Sequence, residues 1–416
     1  MKVLLVSSSD TYGAGIAARR LHDGFRRIGL ESVILVQEKK TDIPEIVGPK
    51  TKFEKLASQL KPVADAIPLY VYPDRLNSTF STSWIANRKL QTIIKETDPD
   101  IINLHWICRG FLAIEDMKKF EKPIVWTLHD MWPFTGGCHY ALNCEKYQDS
   151  CGNCPQLESM SNLDLSKLIW KRKKDSWNEL PMTIVTPSTW LAECAKKSSL
   201  MKNYRIETIH NGVDTNRFQR IDKTVARSIL GLPRDKSIIL FGAANLNDER
   251  KGFKVLVDSL KILSESKREL FGNTALVVFG SSETNSLHCF EDNTIFLGHL
   301  YDDFSLSIAY SSADVFVAPS IQDNLPNTLI ESNACGTPCV AFDVGGINNI
   351  ITHKENGYLC APGDPKDLAA GIAWVIEHKD LHVVLSDNSK RRAQTLFHLE
   401  TQAHQYFSLF RNILDA

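Results

Sequence analysis

Asp323 and Glu331 stand eight positions apart in the stretch Pro319-Ser320-Ile321-Gln322-Asp323-Asn324-Leu325-Pro326-Asn327-Thr328-Leu329-Ile330-Glu331. An apolar run ends at Pro319, a polar loop follows, and a helical pattern begins near Asn327. Carboxylates accept paired hydrogen bonds and so suit the hydroxyls of sugars and riboses. Loop amides at a helix N-terminus suit an anionic or polyhydroxyl ligand, which draws Asn324 and Leu325 into the same candidate site. The plainer reading is an N-capped helix with exposed acids. Arg250 and Lys251 precede a second helical pattern, 253–264. Two cations beside a helix N-terminus oppose its dipole unless an anion sits between them. A solvated loop is the alternative there.

Three further constellations carry chemistry. His129-Asp130 and His105 each follow a short apolar run, where an imidazole can face a ligand or serve as a hydrogen-bonded structural group. Gly13-Ala14-Gly15-Ile16-Ala17-Ala18 fits G-x-G-x-x-A, which invites a dinucleotide reading with Glu38 ending the next strand. The glycines stand away from the strand end, so a loop capping a helix, or one approaching a phosphate or sugar, fits as well. Asp98-Pro99-Asp100 is a D-x-D triplet, but it precedes a strand and contains proline, so it reads as a helix stop and turn. Cys138, Cys144, Cys151 and Cys154 are spaced C-x5-C-x6-C-x2-C in a loop, 135–156, with little apolar material of its own. Four thiolates around zinc would fold that loop and leave the metal no open position for chemistry. Two disulfides, an iron–sulfur cluster or unlinked thiols are the other readings.

The elements that position these residues alternate between β-branched runs and helical patterns. Strands are expected at 2–8, 32–37, 101–106, 124–129, 183–187 and 205–210, then at 237–242, 274–280, 294–297, 315–319 and 338–343. That alternation predicts two doubly wound parallel α/β sheets, with ligands bound beyond the strand carboxyl ends. His105, His129, Gly242, Ser320 and the pair Gly345-Gly346 fall at such ends, and Gly13 and Gly15 lie in the segment that follows the first strand. The domains are expected at 1–215 and 216–397, with the terminal helical stretch, 398–416, folding back onto the first. A cleft between two facing domains is the economical place for the site.

The 416 residues carry 48 Lys+Arg against 49 Asp+Glu, a formal net charge of -1 that argues against a general nucleic-acid binder. The hydrophobic fraction of 43% and charged fraction of 23% exclude disordered and low-complexity scaffolds. No apolar run reaches the ~18 residues of a membrane span, and the apolar start is shorter than a secretory segment. A cytoplasmic protein with reduced cysteines is the expectation.

Taken together, the motifs resemble the family-4 retaining glycosyltransferases of the GT-B fold, two facing Rossmann-like domains around a central cleft. The resemblance rests on Gly13–Gly15, Val125-Trp126-Thr127-Leu128-His129-Asp130, Thr186-Pro187-Ser188-Thr189-Trp190-Leu191, His210-Asn211-Gly212-Val213-Asp214, Arg250-Lys251-Gly252-Phe253 and the run from Glu331 to Pro338. The four-cysteine insertion is similar to that of an exopolysaccharide and colanic-acid-type subfamily.

The resemblance implies a nucleoside-diphosphate-sugar donor and transfer to a glycan or lipid-linked acceptor in surface polysaccharide synthesis, without a catalytic metal. It assigns catalysis to His129, Asp323 and Lys251. Donor binding falls to Gly13, Gly15, Gly242, Asn245, Arg250, Asn324, Leu325 and Glu331, and the acceptor side to His105 and Asp130. Two positions depart from the family pattern: Asp323 replaces a glutamate, and Asn245 replaces an arginine six residues before the lysine. A non-catalytic nucleotide-sugar or glycan-binding protein of the same fold is the alternative, and an NAD-dependent oxidoreductase a third class. Peripheral membrane contact is expected from Phe53, Leu56 and Leu60 beside Lys50, Lys52, Lys55 and Lys61, or from the basic stretch 167–174 around Trp170.

Overall fold

The computed structural model describes residues 1–242, 248–280, 290 and 293–416. They divide into two compact units, Met1–Gly212 with Gln402–Ala416, and Val213–Thr401. Among the described residues no helix is long and apolar enough to cross a membrane.

The first unit is built on β1 (Lys2–Ser9), β2 (Glu31–Glu38), β3 (Ile46–Val47), β4 (Ile101–Leu104), β5 (Ile124–Thr127), β6 (Met182–Thr186) and β7 (Arg205–Thr208). They form one parallel sheet in the order β3-β2-β1-β4-β5-β6-β7. Side chains alternate between its faces, as the pleat requires. Val3 and Leu5 pack with Leu21, Phe25, Tyr406 and Phe410, whereas Leu4 and Val6 pack with Leu104, Trp126 and Phe134. The helix α1 (Gly13–Arg27) and the C-terminal helix Leu399–Leu414 share the first of these faces through the rings of Phe25, Tyr406 and Phe410.

On the opposite face Trp126, Trp132 and Trp177 meet edge to face, with centroids 5.1–6.3 Å apart. Each indole N–H has a buried carbonyl: Trp126 donates to His105 at 3.1 Å, Trp132 to Ser81 at 2.9 Å and Trp177 to Ile114 at 2.9 Å. The aromatic core thereby fixes the backbone just beyond β4. Asp98 ends the helix Leu90–Thr97 in a left-handed turn, and Asp100 accepts the Lys2 amide, so the D-x-D triplet is structural.

The second unit contains β8 (Ser237–Gly242), β9 (Thr274–Phe279), β10 (Thr294–Gly298), β11 (Val315–Ala318), β12 (Cys339–Phe342) and β13 (Gly357–Cys360). Their order is β10-β9-β8-β11-β12-β13, again all parallel. Ile239 and Phe241 face the helices Phe253–Ser266 and Pro365–Glu377, while Ile238 and Leu240 face the core of Phe218, Tyr310 and Phe397. In both sheets the first strand lies inside, and the strand order reverses beside it. The reversals, β1/β4 and β8/β11, are where a crevice opens at the carboxyl ends of the strands.

The C-terminal helix closes the first unit's core, so Phe410→Ala should cost about 3–5 kcal/mol. Denaturant unfolding followed by tryptophan fluorescence checks this, since all three clustered tryptophans lie in that unit; an unchanged midpoint would refute it.

Candidate active site

At the β8/β11 reversal the loop after β11 turns Asp323 inward, where it is 6% exposed. Its Oδ2 receives Lys251 Nζ at 2.7 Å and lies 3.2 Å from an Arg250 guanidinium nitrogen; its Oδ1 accepts the Asn324 amide at 3.0 Å. Burial alone would raise this carboxyl, but the two cations prevail and hold it well below the usual carboxylate range. Arg250 is itself fixed by the Gln322 carbonyl at 3.0 Å and by Asp248 at 3.1 Å.

Two glycines make this packing possible. Gly252 has φ +69°, and a Cβ there would stand 1.8 Å from the Pro319 carbonyl oxygen. Gly345 has φ +58°, with its would-be Cβ 1.7 Å from the Asp323 carbonyl oxygen. Any side chain would push apart the loops that carry Lys251 and Asp323.

Glu331 lies buried on the helix Asn327–Ala334 and accepts the Tyr310 hydroxyl at 2.9 Å. Asn324 and Leu325 are buried between Asp323 and that helix's N-terminus. Gly242 ends β8 against the Phe279 ring, which a Cβ would enter at 2.1 Å. Asn245 lies outside the described residues.

In the first unit, Gly13 is the first residue of α1, and Gly15 brings that helix against the end of β1, where a Cβ would lie 2.1 Å from the Ser9 carbonyl oxygen. His105 and His129 stand beyond β4 and β5, joined Nδ1 to Nε2 at 2.8 Å. His105 Nε2 meets Asn103 Oδ1 at 3.1 Å, and the Asn103 amide donates to Val125 O and Thr127 Oγ1, each at 3.0 Å. The Thr127 hydroxyl meets Tyr406 OH at 2.7 Å. This chain sets the tautomers. The Asn103 oxygen can only accept, so His105 carries its proton on Nε2 and offers a lone pair at Nδ1. His129 therefore donates from Nε2 and carries its lone pair on Nδ1. Burial pushes His129 down to about 4, partly offset by Asp130, and pushes His105 well below its ordinary value, helped by His129.

Asp130 serves a different network. Its Oδ2 accepts Trp106 Nε1 at 2.7 Å and His139 Nδ1 at 2.6 Å, and its Oδ1 caps the turn at the Trp132 amide, 2.9 Å away. Ser81 Oγ completes a buried Ser81–His139–Asp130 chain at 2.8 Å from His139 Nε2. Sequence reasoning missed Asn103, His139, Tyr310 and Tyr406; only His139, one residue after Cys138, carried a local signal.

Cys138, Cys144, Cys151 and Cys154 line one cavity of about 20 Å³, none of them in a disulfide. The Gly136 amide donates to Cys151 Sγ at 3.1 Å. Burial pushes Cys151 up to about 12 and raises Cys138 and Cys154. As neutral thiols they need not converge, and among the described residues no three His, Cys, Asp or Glu side chains are gathered as a group that could hold a metal ion.

Comparison with known proteins follows the same division of the chain. Residues 12–217 match the Glycosyltransferase Family 4 model, and residues 222–392 match Glycosyl transferases group 1. The chain belongs to the GT-B glycosyltransferases. The putative colanic acid biosynthesis glycosyl transferase WcaC of Escherichia coli is 26% identical over 344 residues, 79% of this chain and 80% of that protein. N-acetyl-alpha-D-glucosaminyl L-malate synthase of Bacillus anthracis is 26% identical over 214 residues, 51% of this chain and 55% of its own. The chain spans about half the length of the first curated relatives it matches. In fold it is similar to Anabaena HepE in complex with UDP-glucose, with TM-score 0.66, 17% identity, and coverage of 99% of this chain and 100% of that one.

The low His129 value has a thermodynamic consequence. Its folded value of about 4 lies below the ordinary 6.5, so between those pH values only the unfolded chain takes up the proton. Stability should fall as pH drops from 6.5 toward 4. By urea unfolding, the loss between pH 7 and 4.5 should be about 2–3 kcal/mol larger in the wild type than in His129→Asn. Equal losses would mean that His129 titrates as a solvated imidazole.

Proposed function

We propose that this protein is a retaining glycosyltransferase that takes a hexose from a nucleoside-diphosphate sugar and delivers it to a glycan or lipid-linked acceptor in surface polysaccharide synthesis. The observation that carries the reading is the buried Asp323 carboxylate between Lys251 and Arg250 at a strand-order reversal. Two cations held at a crevice form an anion site, which an internal carboxylate fills when no diphosphate is bound. HepE, whose complex contains UDP-glucose, supports the choice of a uridine nucleotide as first probe.

In this reading Lys251 and Arg250 turn from Asp323 to the diphosphate and neutralise the charge that grows as the glycosidic bond breaks. Asp323, freed of the lysine, accepts hydroxyl hydrogens of the donor sugar, and Glu331 those of the ribose. The departing phosphate takes the acceptor's proton, so no general base is needed. The first unit is the acceptor side, with His105 and His129 beyond the ends of β4 and β5 to contact a sugar. The one-methylene shortening at Asp323 is compensated by its direct bond to Lys251, which holds the carboxylate at the cation pair.

Lys251→Ala should lower turnover of UDP-glucose, or of whichever nucleotide sugar raises the melting temperature most, by about 10²–10³-fold. Asp323→Asn should bind bare UDP within a few fold of wild type yet lose turnover to a similar degree. Sugar transfer by both variants at the parent rate would refute the assignment. Tight UDP binding by the wild type with no nucleotide release in the presence of candidate acceptors would favour the non-catalytic binding protein.

For the loop 135–156 we propose structural zinc on Cys138, Cys144, Cys151 and Cys154. Support comes from their shared cavity, sized for one water or ion, and from the Gly136 amide aimed at Cys151. Binding would require the thiols to deprotonate and turn inward. Protein purified without chelator should contain about one equivalent of zinc, and its removal should lower the melting temperature; absence of metal would overturn the proposal.

A further inference from the structure

The helix α2 (Lys52–Asp65) is inside out. Its start is fixed by a reciprocal cap in which Thr51 Oγ1 accepts the Glu54 amide at 3.1 Å and Glu54 accepts the amides of Thr51 and Lys50. Its only fully buried residue is an acid, Asp65, whose carboxylate accepts the amides of Ser83 and Trp84. Phe53, Leu56, Leu60 and Val63 are instead 55–79% exposed. At ~100° per residue these four fall within an arc of about 80°, with Asp65 nearly opposite. An amphipathic helix of a globular unit normally buries that arc; this one is attached by its polar side and presents the apolar side outward.

The exposed face continues past the helix. Ile67, Tyr70 and Val71 are each more than half exposed, and Trp84, which donates to the Asp65 carbonyl beside the helix end, is 46% exposed. Lys50, Lys52 and Lys55 are exposed in the first turns, and Lys52 borders the apolar arc. The one acid in those turns, Glu54, is occupied by Lys89 and the cap. A continuous apolar strip of this kind, with an unneutralised basic border and aromatic rings at one end, has the composition of a helix lying in a lipid interface.

We propose that α2 and the segment after it dock this unit on the surface of an anionic bilayer, with Phe53, Leu56, Leu60 and Val63 inserted among the acyl chains and Lys50, Lys52 and Lys55 at the headgroups. A second copy of the chain is the poorer partner, because pairing through the strip would cover its apolar residues but leave the exposed Lys50, Lys52 and Lys55 uncompensated, whereas an anionic surface neutralises them. The lipid surface is read from the helix alone; that it also carries the acceptor rests on the transferase reading.

The test uses the full chain and vesicles of phosphatidylcholine, with or without 30 mol% phosphatidylglycerol. Cosedimentation should show binding to the anionic vesicles, weakened severalfold in 0.5 M salt. Leu56→Glu combined with Leu60→Glu should weaken it at least tenfold, and Lys52→Glu with Lys55→Glu should remove the preference for anionic lipid. All four positions are exposed, so melting temperature and UDP binding should match wild type, which separates failure here from failure of the transferase reading. Wild-type protein that ignores anionic vesicles, variants that bind them equally, or a wild-type dimer dissolved by the leucine substitutions would each overturn the proposal.

Discussion

Each sheet begins at an interior strand and is wound outward in both directions. This constraint determines where chemistry can occur. Connections leaving β1 and β4, or β8 and β11, must depart on opposite faces, so backbone amides and polar loops collect at the carboxyl ends beside the reversal. Every residue with a strongly shifted ionisation and a candidate role in transfer, His105, His129 and Asp323, lies in a segment that follows such a strand or its neighbour. The hydrophobic layers hold these segments by packing on both faces and, in the first unit, by the indole of Trp126 on the His105 carbonyl.

The two units handle polar burial in opposite ways. In the second, a buried carboxylate stays charged because two cations stand beside it, and removing one cation would leave that charge only partly compensated. In the first, burial keeps two imidazoles neutral, and a chain of one-way hydrogen bonds from Asn103 fixes which nitrogen carries each proton. A charged anion site and a neutral polar site are different tools: in the proposed reading the one would compensate a diphosphate, and the other would orient hydroxyls without adding charge of its own.

Much of this was legible in the sequence because parallel strands buried on both faces read as short apolar runs. The helices that begin at Phe253 and Asn327 also start where their patterns do. The edge strands Ile46–Val47 and Gly357–Cys360 were missed because they are short and partly exposed, so little apolar pattern marks them. Asp323, Lys251 and Glu331 stood out by residue type and spacing. Their partners did not: the Tyr310 hydroxyl on Glu331 and the Tyr406 hydroxyl on Thr127 come from residues 21 and 279 positions away, a relation only the packed fold reveals. Asp130 illustrates the converse. The resemblance placed it on the acceptor side, and its position at a strand end also suits it to cap the following turn; in the fold its carboxylate caps the Trp132 amide and also serves Trp106 and His139.

The central claim is that Lys251 and Arg250 hold Asp323 in place of a diphosphate. A crystal structure of the protein with UDP bound tests it most directly. The account predicts the β-phosphate within hydrogen-bonding distance of Lys251 Nζ and the Arg250 guanidinium, with the Lys251–Asp323 contact broken and the Asp323 carboxylate facing the donor-sugar position. UDP bound elsewhere, or bound with the 2.7 Å Lys251–Asp323 pair intact, would contradict it.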